Sequence, residues 1–159
     1  LALRVTDTPP PGLAGRPLAT LRHLICASPR YLAERGHPQH PRDLEHHACI
    51  TLGEDERDRH WRFERAGEAA TVAVRGRYVA NHSEVRLEAA LSHLGIASLP
   101  GFTARDALAR GDLVTVLPDW EHKTSYAGTA WVLYPSHRFL PAKLRVWIDH
   151  LVEGFADVE

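Results

Sequence analysis

Residues 21–50, LRHLICASPRYLAERGHPQHPRDLEHHACI, change local pattern several times within a short span. HLICA at 23–27 is an apolar, strand-like run. Ser28 followed by Pro29 is a helix start: the serine oxygen can cap a free N–H, and proline is tolerated at the first helical position. Gly36 can end that helix. HPQHP then reads as a turn, Pro41 opens a short helical turn through Leu44, and residues 48–52 read as another strand. Two strands joined through a helix must bury their apolar faces against a layer of helix, which restricts the chain to an α/β arrangement.

The remainder repeats the alternation. Residues 1–5 form a short apolar strand, and the following TDTPPPGLAG holds three prolines that forbid regular structure. After the charged loop GEDERDRH, HWRFER and ATVAVR alternate apolar and polar residues on either side of AGE, the signature of an antiparallel hairpin. Residues 78–80 are a brief strand. Asn81 is placed to cap a helix with Glu84 at the capping-box position, Leu87, Ala90, Leu91 and Leu94 form its apolar face, and Gly95 sits where it should end. A strand at 96–99 follows, then a helix capped by Thr103 with Asp106 and closed by Gly111. Strands at 113–117 and 129–134 precede a last helix that Pro141 starts, with a face of Leu144, Trp147, Ile148 and Leu151. This order predicts an α/β domain with a largely parallel, mixed sheet.

At 159 residues and 44% apolar, the chain can bury one core, or divide it between two small lobes. With 19 basic against 20 acidic residues and a net charge of −1, nothing marks it as a nucleic-acid binder. No apolar run approaches the roughly 20 residues of a membrane span, so no membrane partner is expected. There is no charged-then-apolar leader, and a start on LALRV without methionine suggests a chain cut from a longer one. Cys26 and Cys49 lie inside apolar runs. Buried, reduced thiols in a cytoplasmic protein are the simplest expectation for them.

Candidate chemistry is sparse. His37, His40, His46, His47 and Cys49 could supply zinc ligands, but three-residue spacing converges only on a helix, and Pro38 and Pro41 interrupt one. No metal is expected. Ser83, His93 and Asp106 can be assembled as a nucleophilic triple, yet no G-x-S-x-G elbow accompanies them and no enzyme activity is expected. Phosphate-binding glycine motifs and other cofactor signatures are absent. The start of the helix at Asn81, His82 and Ser83 is the best candidate, because free N–H groups and the positive helix end favour a carboxylate or phosphate.

Several segments together resemble the effector-binding domain of LysR-type transcriptional regulators. LALRV resembles the D-x-A-x-R strand of that family, and residues 12–50 resemble its strand, Ser-Pro helix and P-x-D-L-x-x-H-x-C run. Trp61 and Phe63 match a W-x-F pair. NHSEVRLEAALSHLGIASLPGF matches the helix ending in G-I-x-x-L-P, and GDLVTVLPDW and YPSHRFLPAKLRVWIDHL complete the order. The resemblance implies a type 2 periplasmic-binding-protein-like fold of two lobes with mixed sheets. Residues 1–35 and 129–159 would belong to lobe I, left incomplete, and residues 36–128 to lobe II. It implies an effector, a carboxylate by the character of the helix start, in the inter-lobe cleft. Arg4, Val5, Thr6, His23, Asn81, His82, Ser83, Pro100 and Phe102 would be the lining residues. It also implies self-association as dimer and tetramer with rearrangement on binding, and DNA contact only through an N-terminal winged helix-turn-helix outside this chain. A fragment of a periplasmic-type solute-binding protein is the alternative with the same fold.

Overall fold

The computed structural model describes residues 1–6, 8–53, 55–136 and 140–155. It divides into two compact units, one of Leu1–Arg22 with Ser125–Glu159 and one of His23–Thr124. These divisions fall before the 35/36 and 128/129 boundaries expected from sequence. The reason is β3 (His23–Ala27), which hydrogen-bonds between β7 (Ile96–Pro100) and β8 (Val114–Thr115) and so carries α1 (Pro29–Arg35) into the second unit. The segment YPSHRF, matched above to the family pattern, falls partly on residues 137–139, outside the described residues.

The first unit is an antiparallel sheet in the order β1 (Ala2–Val5), β10 (Gly128–Pro135), β2 (Leu13–Leu21). β2 is not evident in the sequence because Pro17 interrupts it. Its place at a sheet edge explains the tolerance: Pro17 lies opposite Trp131 where the register shifts, and an edge strand accommodates a residue without an N–H. Helix α4 (Ala142–Gly154) packs Ile148 with Leu151, Val152 and Phe155 against Leu18 and Val132. Trp147, expected on that face, is 58% exposed. The packed stripe runs from buried Ile148 through partly buried Leu151, Val152 and Phe155, and Trp147 stands at its flank.

The second unit centres on a sheet ordered β4 (Cys49–Ile50), β7, β3, β8. Among the described residues of this sheet, β4 and β7 are the parallel strand pair, since β3 runs antiparallel to both its neighbours. The mixed character is as expected, but the parallel share is smaller. Both faces are covered, as the continuous apolar strands require. Ile25 and Ala27 face a core with Tyr31, Leu32, Leu44, Trp61, Phe63 and Trp120. Cys26 faces the other, with Ala89 and Ala90 of α2 (Ser83–Leu91) and Ala104 and Ala107 of α3 (Gly101–Arg110). Both cysteines are free and buried, and burial pushes each thiol up to about 12.

The expected hairpin is β5 (His60–Arg65) and β6 (Glu68–Ala73), with Trp61 opposite Val72 and Phe63 opposite Ala70. Ala66 and Gly67 turn it with φ of 43° and 86°, the left-handed pair that matches the twist of a two-residue hairpin. β9 (Glu121–Lys123) adds a third strand against β5.

Gly76 and Gly95 act by close approach to neighbouring backbone. A Cβ on Gly76 would lie 1.8 Å from the Cys49 carbonyl oxygen, and one on Gly95 2.3 Å from that of Ala48. Gly95 therefore does not end α2; His93 does, with φ of 63°, while the Leu94 N–H donates to the Ala89 carbonyl and the His93 N–H to that of Ala90. We expect Gly76→Ala to cost about 3 kcal/mol through backbone displacement. Gly111→Ala, strained at φ 78° but in open space, should cost about 1 kcal/mol. Urea denaturation of both variants checks the order, and equal losses would contradict it.

Candidate functional site

Strand β7 ends at Pro100 and α3 begins at once with Gly101, so the sheet delivers a helix start directly from its strand end. On the neighbouring strand β3, His23 lies directly opposite Pro100. The α2 start joins them: Thr103 Oγ1 donates to Ser83 Oγ at 3.2 Å, tying the first turns of α2 and α3 together. Neither helix has a side-chain cap. His82 is the N-cap of α2 and Pro100 that of α3, and neither side chain bonds to the helix. Each start thus leaves N–H groups without an intrahelical acceptor, both at positive helix ends.

The expected caps are corrected here. Asn81 does not cap α2, because its carbonyl is drawn to Arg86 at 3.2 Å and the chain enters the helix one residue later. Thr103 does not cap α3, because that helix already starts at Gly101 and Thr103 is buried in its first turn.

Arg86 is the residue that sequence reading missed. It is 2% exposed, on the first turns of α2. Its Nε donates to the Ser98 carbonyl at 3.2 Å and its Nη1 to the carbonyls of Ala80 at 2.7 Å and Asn81 at 3.2 Å. The signal was present: Arg86, Ala89 and Ala90 share one helix stripe, and all three are buried. The leucine-weighted face predicted instead is displaced by one position, leaving Leu87 and Leu91 partly buried and Leu94 50% exposed.

His23 continues this network, its Nδ1 bonding Ser98 Oγ at 3.2 Å. Burial, with the His122 and Arg86 charges adding to it, holds its pKa down to about 4. His122, buried on β9 beside Trp61 and Phe63, is lowered to about 4 by burial, against a bond to the Arg62 carbonyl.

Of the nine expected residues, His23, Asn81, His82, Ser83, Pro100 and Phe102 lie in the second unit, gathered by these contacts around the two helix starts. Phe102 is 49% exposed. Arg4, Val5 and Thr6 lie in the first unit, at the end of β1 opposite Trp131 and Ala130. Thr6 is taken up in local bonds: its N–H donates to Thr129, its hydroxyl to the Thr8 carbonyl, and its own carbonyl accepts from Trp131 Nε1.

The other sequence candidates disperse. Ser83 engages Thr103, whereas His93 lies past the far end of α2, with Nδ1 2.8 Å from the Ser28 hydroxyl, so the nucleophilic triple does not assemble. His40 Nδ1 accepts from the Arg42 N–H, and His47 Nδ1 bonds Tyr31 Oη. Among the described residues no three metal-binding side chains converge.

Comparison with known proteins places the chain in a family. The LysR substrate binding domain matches residues 1–156. The chain belongs to that family. It is similar to the probable HTH-type transcriptional regulator LtrA of Klebsiella pneumoniae, at 54% identity over 153 residues, covering 96% of this chain and 50% of that protein. It is also similar to the HTH-type transcriptional regulator PtxR of Pseudomonas aeruginosa, at 34% identity over 96% of this chain and 48% of that protein. Among solved structures it resembles full-length AphB of Vibrio cholerae, a virulence activator of the same family. The TM-score is 0.82 and the identity 28%, covering 96% of this chain and 51% of that one. The LysR-type domain described here thus spans about half the length of these relatives, which are transcriptional regulators. Its type 2 periplasmic-binding-protein-like fold is that of their regulatory domains. No helix among the described residues is long and apolar enough to cross a membrane.

Two outcomes follow. Arg86→Met should destabilise the second unit by about 3 kcal/mol, because it strands three carbonyls, and Arg86→Lys should not restore the loss. Urea denaturation measures both, and full rescue by lysine would contradict the account. Neutral His23 and His122 also make stability pH-dependent. Their folded pKa values lie below the unfolded value of about 6.5, so the unfolded chain takes up protons that the folded one refuses. Stability is complete above pH about 6.5 and falls as pH drops toward 4, by up to about 1.4 kcal/mol per unit for each histidine. Urea midpoints at pH 7 and pH 5 should differ accordingly; a flat profile would contradict it.

Proposed function

We propose that this chain is the effector-sensing part of a LysR-type transcriptional regulator. The observation that carries the reading is the pair of helix starts, α2 and α3, tied by Ser83 and Thr103 and left without side-chain caps. Their N–H groups and positive ends suit a small carboxylate. Neutral His23 adds a group that can donate or accept a hydrogen bond, and Phe102 and Pro100 add an apolar wall. His82 and Asn81 flank the same place. Arg4, Val5 and Thr6 are the candidates for ligand contact in the first unit.

Binding controls transcription only if the effector has unequal affinity for two arrangements of the assembled regulator. Converting a population from about 1:99 to 99:1 requires a difference of about 5.5 kcal/mol. The regulator works as a self-associated dimer or tetramer in the cytoplasm. A winged helix-turn-helix outside this chain reads the DNA, which accords with the near-neutral charge here. No enzyme activity is assigned.

A thermal-shift series with succinate, malate and 2-oxoglutarate, acids without an aromatic body, tests the reading. A ligand at about 100 times its Kd adds about 2.7 kcal/mol to folded stability. At least one acid should raise the melting temperature by several degrees, and Ser83→Asp, which sets a negative charge at the α2 start, should abolish the rise. No shift with any acid, or a shift unchanged in the variant, would contradict the assignment.

A further inference from the structure

The second unit holds another concave site, at the opposite end of α2. A cavity of about 480 Å³ is bounded by α1, the strand entry at Ala48, the arch at 76–78 and the residues just past α2. That volume suits a small molecule. It does not touch the helix starts: α2 alone is nine residues, about 13 Å long, and the cavity begins at His93 and Leu94 beyond its last turn.

The backbone makes this cavity. Parallel bridges join Ala48 to Arg75 and Thr51 to Val79, so the run 75–79 is one residue longer than the 48–51 run it pairs with. The surplus arches outward and carries Arg77 and Tyr78 to the rim. Gly76 lies so close to the Cys49 carbonyl that no side chain fits there, and Ala48 contributes only a methyl group. The floor is therefore bare. Tyr31 closes the inner side, its Oη accepting from the Ala48 N–H at 2.9 Å and bonding His47 Nδ1 at 3.2 Å. This fixes the ring as a wall.

The lining is unbalanced in charge although the whole chain is nearly neutral. Arg35 and Arg77 both border the cavity, with His46 and His93 beside them, and neither arginine forms an ion pair among the described residues. The one acid, Glu34, is held by Arg30 at 3.0 Å. Two arginines bordering a cavity that Tyr31, Tyr78 and Leu94 also line match an anion with a flat, apolar body.

We propose that this cavity is a second ligand site, which takes a small aromatic carboxylate between Arg35 and Arg77. It is independent of the helix-start site, so a regulator of this kind could respond to two ligands at once.

Isothermal titration calorimetry of the 159-residue chain with phthalate tests it. Inorganic phosphate serves as the comparison, and circular dichroism confirms that each variant is folded. Both arginines are exposed, so their replacement should leave the fold intact. We expect one saturable phthalate site that weakens about tenfold or more in Arg35→Ala and in Arg77→Ala. Ala48→Phe, which fills the floor, should remove it. The site should persist in Ser83→Asp, which separates this proposal from the fate of the helix-start site. Absence of saturable binding, binding that survives both arginine substitutions, loss in Ser83→Asp, or binding of phosphate without phthalate would each overturn it.

Discussion

A single buried guanidinium holds the second unit in working order. Arg86 rises from the first turns of α2 and binds carbonyls on the incoming segment and on the central strand β7. Burying a positive charge is costly, and the charge-assisted bonds to three carbonyls offset that cost. Those carbonyls come from Ala80 and Asn81, where the backbone is between regular elements, and from Ser98 on the strand. The arginine therefore fixes where α2 begins. Since α3 starts from the end of that same strand, the position of the two helix starts relative to each other depends on it. The Ser83–Thr103 hydrogen bond is a consequence of that placement, and His23 is drawn in through Ser98.

The sheet between its two unlike layers explains the remaining geometry. Small residues, Ala89, Ala90, Ala104 and Ala107, bring both helices close to one face. On the other face, large aromatic side chains from the hairpin and the 117–120 turn fill a deeper space. Gly76 and Gly95 let flanking backbone close on residues 48 and 49 from either side. Close packing in the interior thus leaves open concave surface at the ends of α2, which is where both proposed ligand sites lie.

Much of this was legible in the sequence. The hairpin followed from strict alternation about a short turn, and α1 from Ser28, whose hydroxyl does accept the Tyr31 N–H. The Pro41 turn was also visible. β2 was not, because a proline in a strand is penalised unless the strand lies at an edge, and edge position is a tertiary fact. β9 was hidden by its charged residues, Glu121 and Lys123, which face outward around buried His122. The candidate site was half legible: residues 81–83 stood out as a helix start with free N–H groups, and Pro100 and Phe102 came through the family resemblance. Its organiser did not, because an arginine on an amphipathic helix ordinarily reads as surface. Only the packing shows that alanines, rather than leucines, define the buried stripe and that Arg86 belongs to it.

The central claim is that the helix starts of α2 and α3 form one carboxylate-binding place. Amide chemical-shift mapping of the ¹⁵N-labelled chain during titration with succinate, which lacks the aromatic body suited to the second cavity, tests it most directly. The account predicts that the largest shifts fall on the amides of Ser83, Glu84 and Val85 and of Phe102 and Thr103, moving together along one saturation curve. Shifts that saturate elsewhere while these amides stay fixed would contradict it.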